Sequence, residues 1–261
     1  MNVQIEQLKR KAARVLTVSG EMSILLKDSV VASFSKPFYF NRMIEQILVL
    51  GVGSISITAM IGLVMGLVMT LQFGYGFAKF GGILYIPALV SMSLTREMAP
   101  IFTSLLVAGR IGSGMVAEIG SMNVTSQIDA IRALGTSPIR VLVVPRLIAS
   151  VIALPLLTVL ADFLGILGGL FICQIEFDMT AGFYINKVLD SIKLADVYTG
   201  LLKTVFFAVI ITIVACYKGF RTKDGTRGVG NSTTWVVVTS SIMILIADFF
   251  LGKLFLLVFI K

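Results

Sequence analysis

The stretch ILVLGVGSISITAMIGLVMGLVMTL at residues 47–71 runs for 25 residues without one charged side chain. As an α-helix rising 1.5 Å per residue it would be about 37 Å long, enough to cross a hydrocarbon core of roughly 30 Å with some tilt. This stretch therefore predicts a transmembrane helix.

The composition of the whole chain points the same way. Of its 261 residues, 57% are hydrophobic and 14% charged, and the mean hydropathy is +0.96. Soluble domains are about 45–50% apolar and about 25% charged, so this chain cannot hide its apolar surface in a water-soluble globule of its size. Four further apolar stretches predict spans at 83–113, 147–173, 200–217 and 235–259. We expect an all-α integral membrane protein with about five transmembrane helices in a domain at 47–261.

The stretch at 83–113 is too long for a simple span. It contains Pro87 and Pro100, and a proline inside a helix removes one backbone hydrogen bond. A bend or a buried break is therefore predicted there.

The N-terminal segment at 1–46 is predicted to form an amphipathic helix over about 5–31 that lies in the membrane interface. Ile5, Leu8, Ala12 and Val15 recur at helical spacing and form an apolar face. The cations lie opposite that face: Lys9, Arg10, Lys11 and Arg14. A solvated basic tail is the alternative. The segment is too interrupted by charges to be a signal peptide, and we expect it to be retained.

Charge placement predicts the orientation. With the N-terminus in the cytoplasm, the cytoplasmic segments 1–46, 110–146 and 218–234 carry 15 of the 22 Lys and Arg residues. The outer segments then carry four, as the positive-inside rule requires, and the C-terminus is periplasmic. Anionic lipid headgroups explain the net charge of +8, so a nucleic-acid partner is not needed.

Several chemistries have little support in this sequence. It contains no His, no GxxxxGK[ST] phosphate loop and two cysteines, Cys173 and Cys216, that lie far apart in apolar runs. We expect a non-catalytic chain with no metal and no cofactor of its own. Small residues spaced four apart predict close helix packing or a dimer seam, at Gly62 and Gly66, Ala108 and Gly112, and Gly165 and Gly169.

Charged residues inside predicted spans are the first candidates for function, because a central charge costs on the order of 2.5–3.5 kcal/mol. They are Arg96, Glu97, Asp162, Lys203 and Asp248. Two interpretations stay open: ion pairs that lock helices together, or a polar region that lines a substrate cavity. For such a cavity, the candidates among these are Arg96, Glu97, Lys203 and Asp248, with apolar walls from Met65, Met69 and Leu71.

The loop after the second span carries the strongest signal. Thr125 or Ser126 is placed to cap a short helix, which we predict at about 123–135, with Gly135 at its end and Pro138 beyond. Ile128, Ile131 and Leu134 share one face of this helix, and its polar positions are Gln127, Asp129 and Arg132. A short amphipathic helix on the cytoplasmic side suits docking to a soluble partner.

Four motifs in and around this loop resemble the MlaE/YrbE permease family in order and spacing: LVAGRIGS at 106–113, AEIGSM at 117–122, QIDA at 127–130 and VVPRL at 143–147. The resemblance extends from about residue 40 to the C-terminus. It departs from the family at Ser126 and Ser137, where members often carry Glu and Asp.

The resemblance implies a permease in the bacterial inner membrane that pairs with a second copy of itself and with two copies of a cytoplasmic ATPase, which uses ATP and Mg. It implies transport of phospholipid to or from a periplasmic MCE-domain partner, in the service of outer-membrane lipid asymmetry. The helix at 123–135 would be the coupling helix that contacts the ATPase, and the coupling candidates are Glu118, Gln127, Asp129, Ile131, Arg132 and Leu134.

Two other functions remain alternatives. An ion-coupled secondary transporter could use Glu97, Asp162 and Asp248 as proton or cation relays, although we detect no internal repeat. A membrane enzyme acting on lipid is disfavoured by the missing nucleophile and metal sets.

Overall fold

The computed structural model describes residues 2–34 and 39–259, and this part of the chain is helical with no strands. Its α-helices, in chain order, are α1 (Asn2–Ser33), α2 (Phe40–Leu50), α3 (Ile55–Ala78), α4 (Ile86–Ser93), α5 (Ala99–Val107), α6 (Ser113–Val124), α7 (Gln127–Ala133), α8 (Val144–Glu176), α9 (Ala181–Ser191), α10 (Leu194–Gly219) and α11 (Gly225–Phe259). Short 3₁₀ turns at Val52–Ser54 and Ile83–Tyr85 and π-helical segments at Leu94–Met98, Ala108–Gly112 and Ile139–Val143 join some of them.

Five stretches of the described chain are long and apolar enough to cross a membrane, which confirms the predicted number. They are Phe40–Ala78, Ile83–Val124, Ile139–Glu176, Leu194–Gly219 and Gly225–Phe255, and we number them spans 1 to 5. Spans 1, 3 and 4 begin before and end after the predicted runs. Span 2 begins at the predicted residue and ends later, and span 5 begins earlier than predicted.

Span 2 is not broken at its prolines. Pro87 and Pro100 fall in the first turns of α4 and α5, after short irregular segments whose own hydrogen bonding differs from that of an α-helix. Two π-helical segments, Leu94–Met98 and Ala108–Gly112, take up the irregularity instead, and the helix runs from Ile83 to Val124.

Glycines hold spans 1 and 3 together. A Cβ at Gly62 would lie 2.6 Å from the carbonyl oxygen of Ala161, and one at Gly168 would lie 2.6 Å from that of Leu63. A Cβ at Gly66 would overlap the carbonyl group of Gly165. We call these contacts the glycine seam. Gly62, Gly66 and Gly165, considered above for a dimer seam, therefore pack within the chain, as does Gly112 against α10 and α11.

The helices enclose two apolar cores. The larger lies among α5, α6, α8, α10 and α11 and includes the buried Ile128 of α7. The smaller, around Leu94, Cys173 and Tyr184, is closed by α9, a helix that our sequence analysis left as part of a loop. We name the two ends of the bundle the α7 end and the α9 end.

Helix α1 lies against the bundle at the α7 end. The carboxylate of Glu21 forms an ion pair of 2.6 Å with Arg221, and Met22 is buried in the larger core. The helix is thus confirmed, but the side chains of its predicted amphipathic face lie outside the described residues: Ile5, Leu8, Lys9, Arg10, Lys11, Ala12, Arg14 and Val15.

Candidate functional site

Three of the predicted intramembrane charges meet in one place, which we call the charged cluster: Glu97, Lys203 and Asp248. The Nζ atom of Lys203 lies 2.5 Å from Oε2 of Glu97 and 3.0 Å from Oδ1 of Asp248. The Glu97 contact is a hydrogen bond, whereas the Asp248 contact is an ion pair without hydrogen-bond geometry. Spans 2, 4 and 5 each contribute one member, so the cluster ties three helices together.

The backbone of span 2 explains why Lys203 reaches this position. Lys203 also donates to the main-chain carbonyl of Arg96 at 3.2 Å, inside the π-helical segment Leu94–Met98. A π-helical turn displaces carbonyl groups from the regular α-helical ladder, and such turns recur at functional sites. Gly200, one turn before the lysine, allows the close approach, because a Cβ there would overlap the carbonyl oxygen of Thr95.

The exposure of the cluster is uneven. The side chain of Lys203 is 2% exposed and that of Asp248 14%, whereas that of Glu97 is 40% exposed. Two carboxylates and one ammonium leave the cluster with a formal charge of −1. The ammonium is therefore fixed between its partners, while the Glu97 carboxylate is partly open to whatever occupies the neighbouring space.

Arg96 does not join this cluster. Its Nε atom lies 2.8 Å from Oδ1 of Asp196, and the other carboxylate oxygen of Asp196 accepts the backbone N–H of Lys193 at 3.0 Å. Asp196 is 1% exposed and closes the first turn of α10. Our sequence analysis missed it, although an acid at the third position of a helix, just before an apolar run, is a capping signal.

The predicted apolar walls lie in other environments. Met65 and Met69 pack against the smaller core beside Leu94. Leu71 lies on another face of α3, where it lines a shallow groove with Tyr75. A lipid cavity lined by these three residues and the charges stays a prediction.

The predicted coupling helix is present but shorter than expected. Helix α6 continues through Val124, and α7 spans Gln127–Ala133. Neither predicted cap forms: Ser126 has a left-handed backbone (φ 58°) without a capping bond, and the Thr125 hydroxyl donates back to the carbonyl of Ser121 at 2.9 Å. Gly135 does end the helix, with φ at 72° and its N–H bonded to the carbonyl of Arg132.

The apolar positions of α7 do not share one environment. Ile128 is 0% exposed, Ile131 packs partly buried against the same core, and Leu134 is 82% exposed. Ile131 is thus largely committed to the bundle. The surface that α7 offers to a partner consists of Leu134 together with the exposed Gln127, Asp129 and Arg132. Asp129 and Arg132 form a 3.1 Å ion pair on that surface.

Glu118 forms a brace inside the chain. Its Oε1 atom lies 2.6 Å from Nη2 of Arg146, whose side chain is 4% exposed. Arg146 also donates to the carbonyl of Leu142 at 2.6 Å, so this pair joins α6 to the start of α8. The loop that carries α7 is held at both of its ends by this brace.

Five apolar spans, a charged cluster among three of them and a short surface helix braced to the bundle define a multi-pass membrane protein. The family described as permease MlaE matches residues 43–254. The chain belongs to this family, whose members are permeases of ABC transporters, and membership implies an ATPase partner.

Two of the relatives are themselves described as ABC transporter permeases. A probable ABC transporter permease protein of Rickettsia bellii is 37% identical over 246 residues, which cover 94% of this chain and 95% of the relative. A probable ABC transporter permease protein of Synechocystis is 43% identical over 82% of this chain and 81% of its own length. The chloroplastic protein trigalactosyldiacylglycerol 1 of Arabidopsis thaliana is 35% identical over 89% of this chain and 66% of that protein.

Proposed function

We propose that this permease moves phospholipids between the bacterial inner membrane and a periplasmic MCE-domain partner, and so maintains outer-membrane lipid asymmetry. The observation that carries the proposal is the charged cluster, because it is a fixed ammonium beside a half-open carboxylate within an apolar bundle. A zwitterionic or anionic headgroup needs such polar partners when it leaves the membrane surface. The name of the Arabidopsis relative, which is that of a glycerolipid, also supports a lipid substrate.

The cluster can exchange partners without exposing an unpaired charge. A headgroup phosphate that approaches Lys203 replaces the Glu97 carboxylate, which is 40% exposed and free to turn outward. Asp248 stays with the lysine, so the ammonium keeps one partner throughout. A headgroup ammonium would instead pair with the released Glu97.

Energy enters from a separate subunit in this proposal. Two copies of a cytoplasmic ABC ATPase bind ATP and Mg²⁺ and contact α7 of two permease copies, and this chain contributes no cofactor. The exposed Leu134 and the exposed pair of Asp129 and Arg132 form the contact surface. Ile128 and the brace between Glu118 and Arg146 transmit movement of α7 to the spans.

The α7 end is cytoplasmic in this proposal and the α9 end periplasmic. The segments at the α7 end carry most of the Lys and Arg residues, as the positive-inside rule requires. The N-terminus is then cytoplasmic and the C-terminus periplasmic.

The test compares two carboxylates of the same chain. Glu97→Gln removes the exposed member of the charged cluster, and Asp190→Asn removes an exposed carboxylate of α9 as the control. The complex of permease and ATPase is reconstituted in vesicles, and ATP hydrolysis and transfer of labelled phospholipid to an MCE-domain acceptor are both measured. We expect Glu97→Gln to lower transfer at normal abundance, and Asp190→Asn to match the unsubstituted protein. Equal transfer by all three proteins would contradict the proposal.

An ion-coupled transporter fits the geometry less well. Lys203 holds two of the three carboxylates that this alternative would use as relays. The third, Asp162, lies on α8, and one of its oxygens is buried without a hydrogen-bond partner among the described residues. Lipid transfer driven by a proton gradient in the absence of ATP would favour the alternative.

A further inference from the structure

A cavity of about 580 Å³ lies between α1, α10 and α11 at the α7 end. Its walls are largely apolar, with Met22 from α1, Ile213 and Val214 from α10, and Trp235 and Met243 from α11. The volume lies within the range of about 300–1,000 Å³ that is usual for small-molecule sites. No member of the charged cluster lines the cavity, and Val209, the lining residue of α10 nearest to Lys203 in sequence, lies six residues, or about 9 Å of helix, from it.

The polar contacts of α1 fix the shape of this cavity. The Tyr217 hydroxyl donates to Oε2 of Glu21 at 2.7 Å, and Arg221 forms its ion pair with the other carboxylate oxygen of Glu21 at 2.6 Å. These contacts hold α1 against α10 next to the cavity, and Met22, the residue after Glu21, lines it. The helix that forms one wall of the cavity is therefore attached to the bundle by a hydrogen bond and an ion pair.

Lys218 does not line the cavity, but its ammonium lies over the ring of Trp235, which does. The Nζ atom of Lys218 lies 5.1 Å from the ring centroid of Trp235. Among residues 2–34 and 39–259, no carboxylate lies within ion-pair distance of Lys218. A ring face attracts a cation without neutralising it, so the ammonium retains its charge for an anion.

We propose that the cavity binds one phospholipid of the surrounding leaflet, with an acyl chain between α1, α10 and α11 and the phosphate on Lys218. An apolar cavity beside an unneutralised ammonium matches an amphiphile with an anionic head. The site goes beyond the proposed function, since a resident lipid that is never transported would occupy it. Such a lipid joins α1 to the spans through hydrocarbon contacts.

The chain carries its own reporter for this site, because Trp235 is its only tryptophan. The full chain is reconstituted in phosphatidylcholine vesicles with rising fractions of phosphatidylglycerol whose acyl chains are brominated, and quenching of the Trp235 fluorescence is measured. Brominated phosphatidylcholine is the uncharged comparison. We expect half-maximal quenching at about fivefold lower mole fraction for the anionic lipid, the preference that one lysine near a membrane surface provides.

Two variants and one control separate the parts of the site. Lys218→Gln should bring the two quenching curves together without abolishing quenching. Thr239→Phe fills the cavity and should reduce quenching by both lipids, whereas Val238→Phe changes the neighbouring residue, which is 53% exposed, and should have no effect.

Three outcomes would overturn the proposal. Coincident curves for the two lipids in the unsubstituted chain, or equal behaviour of the two phenylalanine variants, would show that Trp235 meets bulk lipid. Absence of quenching in every vesicle would show that protein, such as a second copy of the chain, covers the cavity.

Discussion

Replacement of Lys203 by methionine should destabilise the protein far more than removal of either of its partners. The substitution leaves Glu97 and Asp248 close together without the cation that both contact, in a place where the lysine side chain is 2% exposed. Breaking a buried ion pair by removing one member costs about 3–5 kcal/mol, because the remaining charge is buried and unpaired. Glu97→Gln leaves Lys203 paired with Asp248, and the loss at this half-exposed carboxylate should be about 0–1 kcal/mol.

A triple variant separates stability from transport. Lys203→Met combined with Glu97→Gln and Asp248→Asn removes every charge of the cluster, so the unpaired carboxylates are gone as well. We expect thermal unfolding and membrane abundance to recover most of the loss, while lipid transfer stays low. The reasoning is refuted if Lys203→Met unfolds at the temperature of the unsubstituted protein, or if the triple variant is no more stable than Lys203→Met.

Three further predictions concern other parts of the chain. Gly66→Ala, which clashes with the carbonyl of Gly165, should lower the unfolding temperature by the equivalent of about 1–3 kcal/mol or more, whereas Gly76→Ala, with open space around its Cβ, should not lower it. Leu134→Asp should weaken ATPase binding in a pull-down without loss of folded permease, whereas Ile128→Asp should reduce folded permease itself. The Tyr217 hydroxyl and Arg221 hold the pKa of Glu21 below its ordinary value, so α1 should resist proteolysis at neutral pH and lose that protection as the pH falls below about 4.3. Glu21→Gln should remove this pH dependence.

Each of these three fails on a definite result. Equal unfolding temperatures for the two glycine variants would mean that spans 1 and 3 can separate without loss. Unchanged ATPase binding by Leu134→Asp would place the docking surface elsewhere. Digestion of α1 that does not vary with pH would show that Glu21 does not hold this helix.

Hydropathy predicted the number and order of the spans because burial in lipid acts on each segment separately. A run such as 47–71 is apolar whichever helices surround it. The ends of the spans were less predictable. Residues 114–124 continue span 2 as α6 because they pack against α10 and α11, and this packing leaves little trace in the average hydropathy of the segment.

The charged cluster could be predicted in part. The cost of charge in hydrocarbon singles out Glu97, Lys203 and Asp248 from the sequence alone. Which cation meets which carboxylate depends on the π-helical segment of span 2 and on the approach at Gly200, and neither has a clear sequence signal. Arg96 therefore looked equivalent to Lys203, although it pairs with Asp196 outside the cluster.

The N-terminus of α7 shows a different limit. Thr125 and Ser126 are the residue types that cap helices, but the chain turns through a left-handed residue at Ser126 so that α7 can fold back and bury Ile128. Burial of an isoleucine outweighs one capping bond, which is worth about 1 kcal/mol. Local preference was overridden by packing there.

The glycine seam also limits how this permease can move. At the seam the backbone of one helix lies directly on that of the other, and there is no room for a side chain. Sliding by one residue would bring the side chain of Leu63 or Leu67 into this contact. Sliding of span 1 along span 3 is therefore blocked, and the two helices move as one rigid unit. In a transport cycle this unit must move as a whole. Its movement is accommodated at contacts between helices that are made by side chains, because side chains can change rotamer.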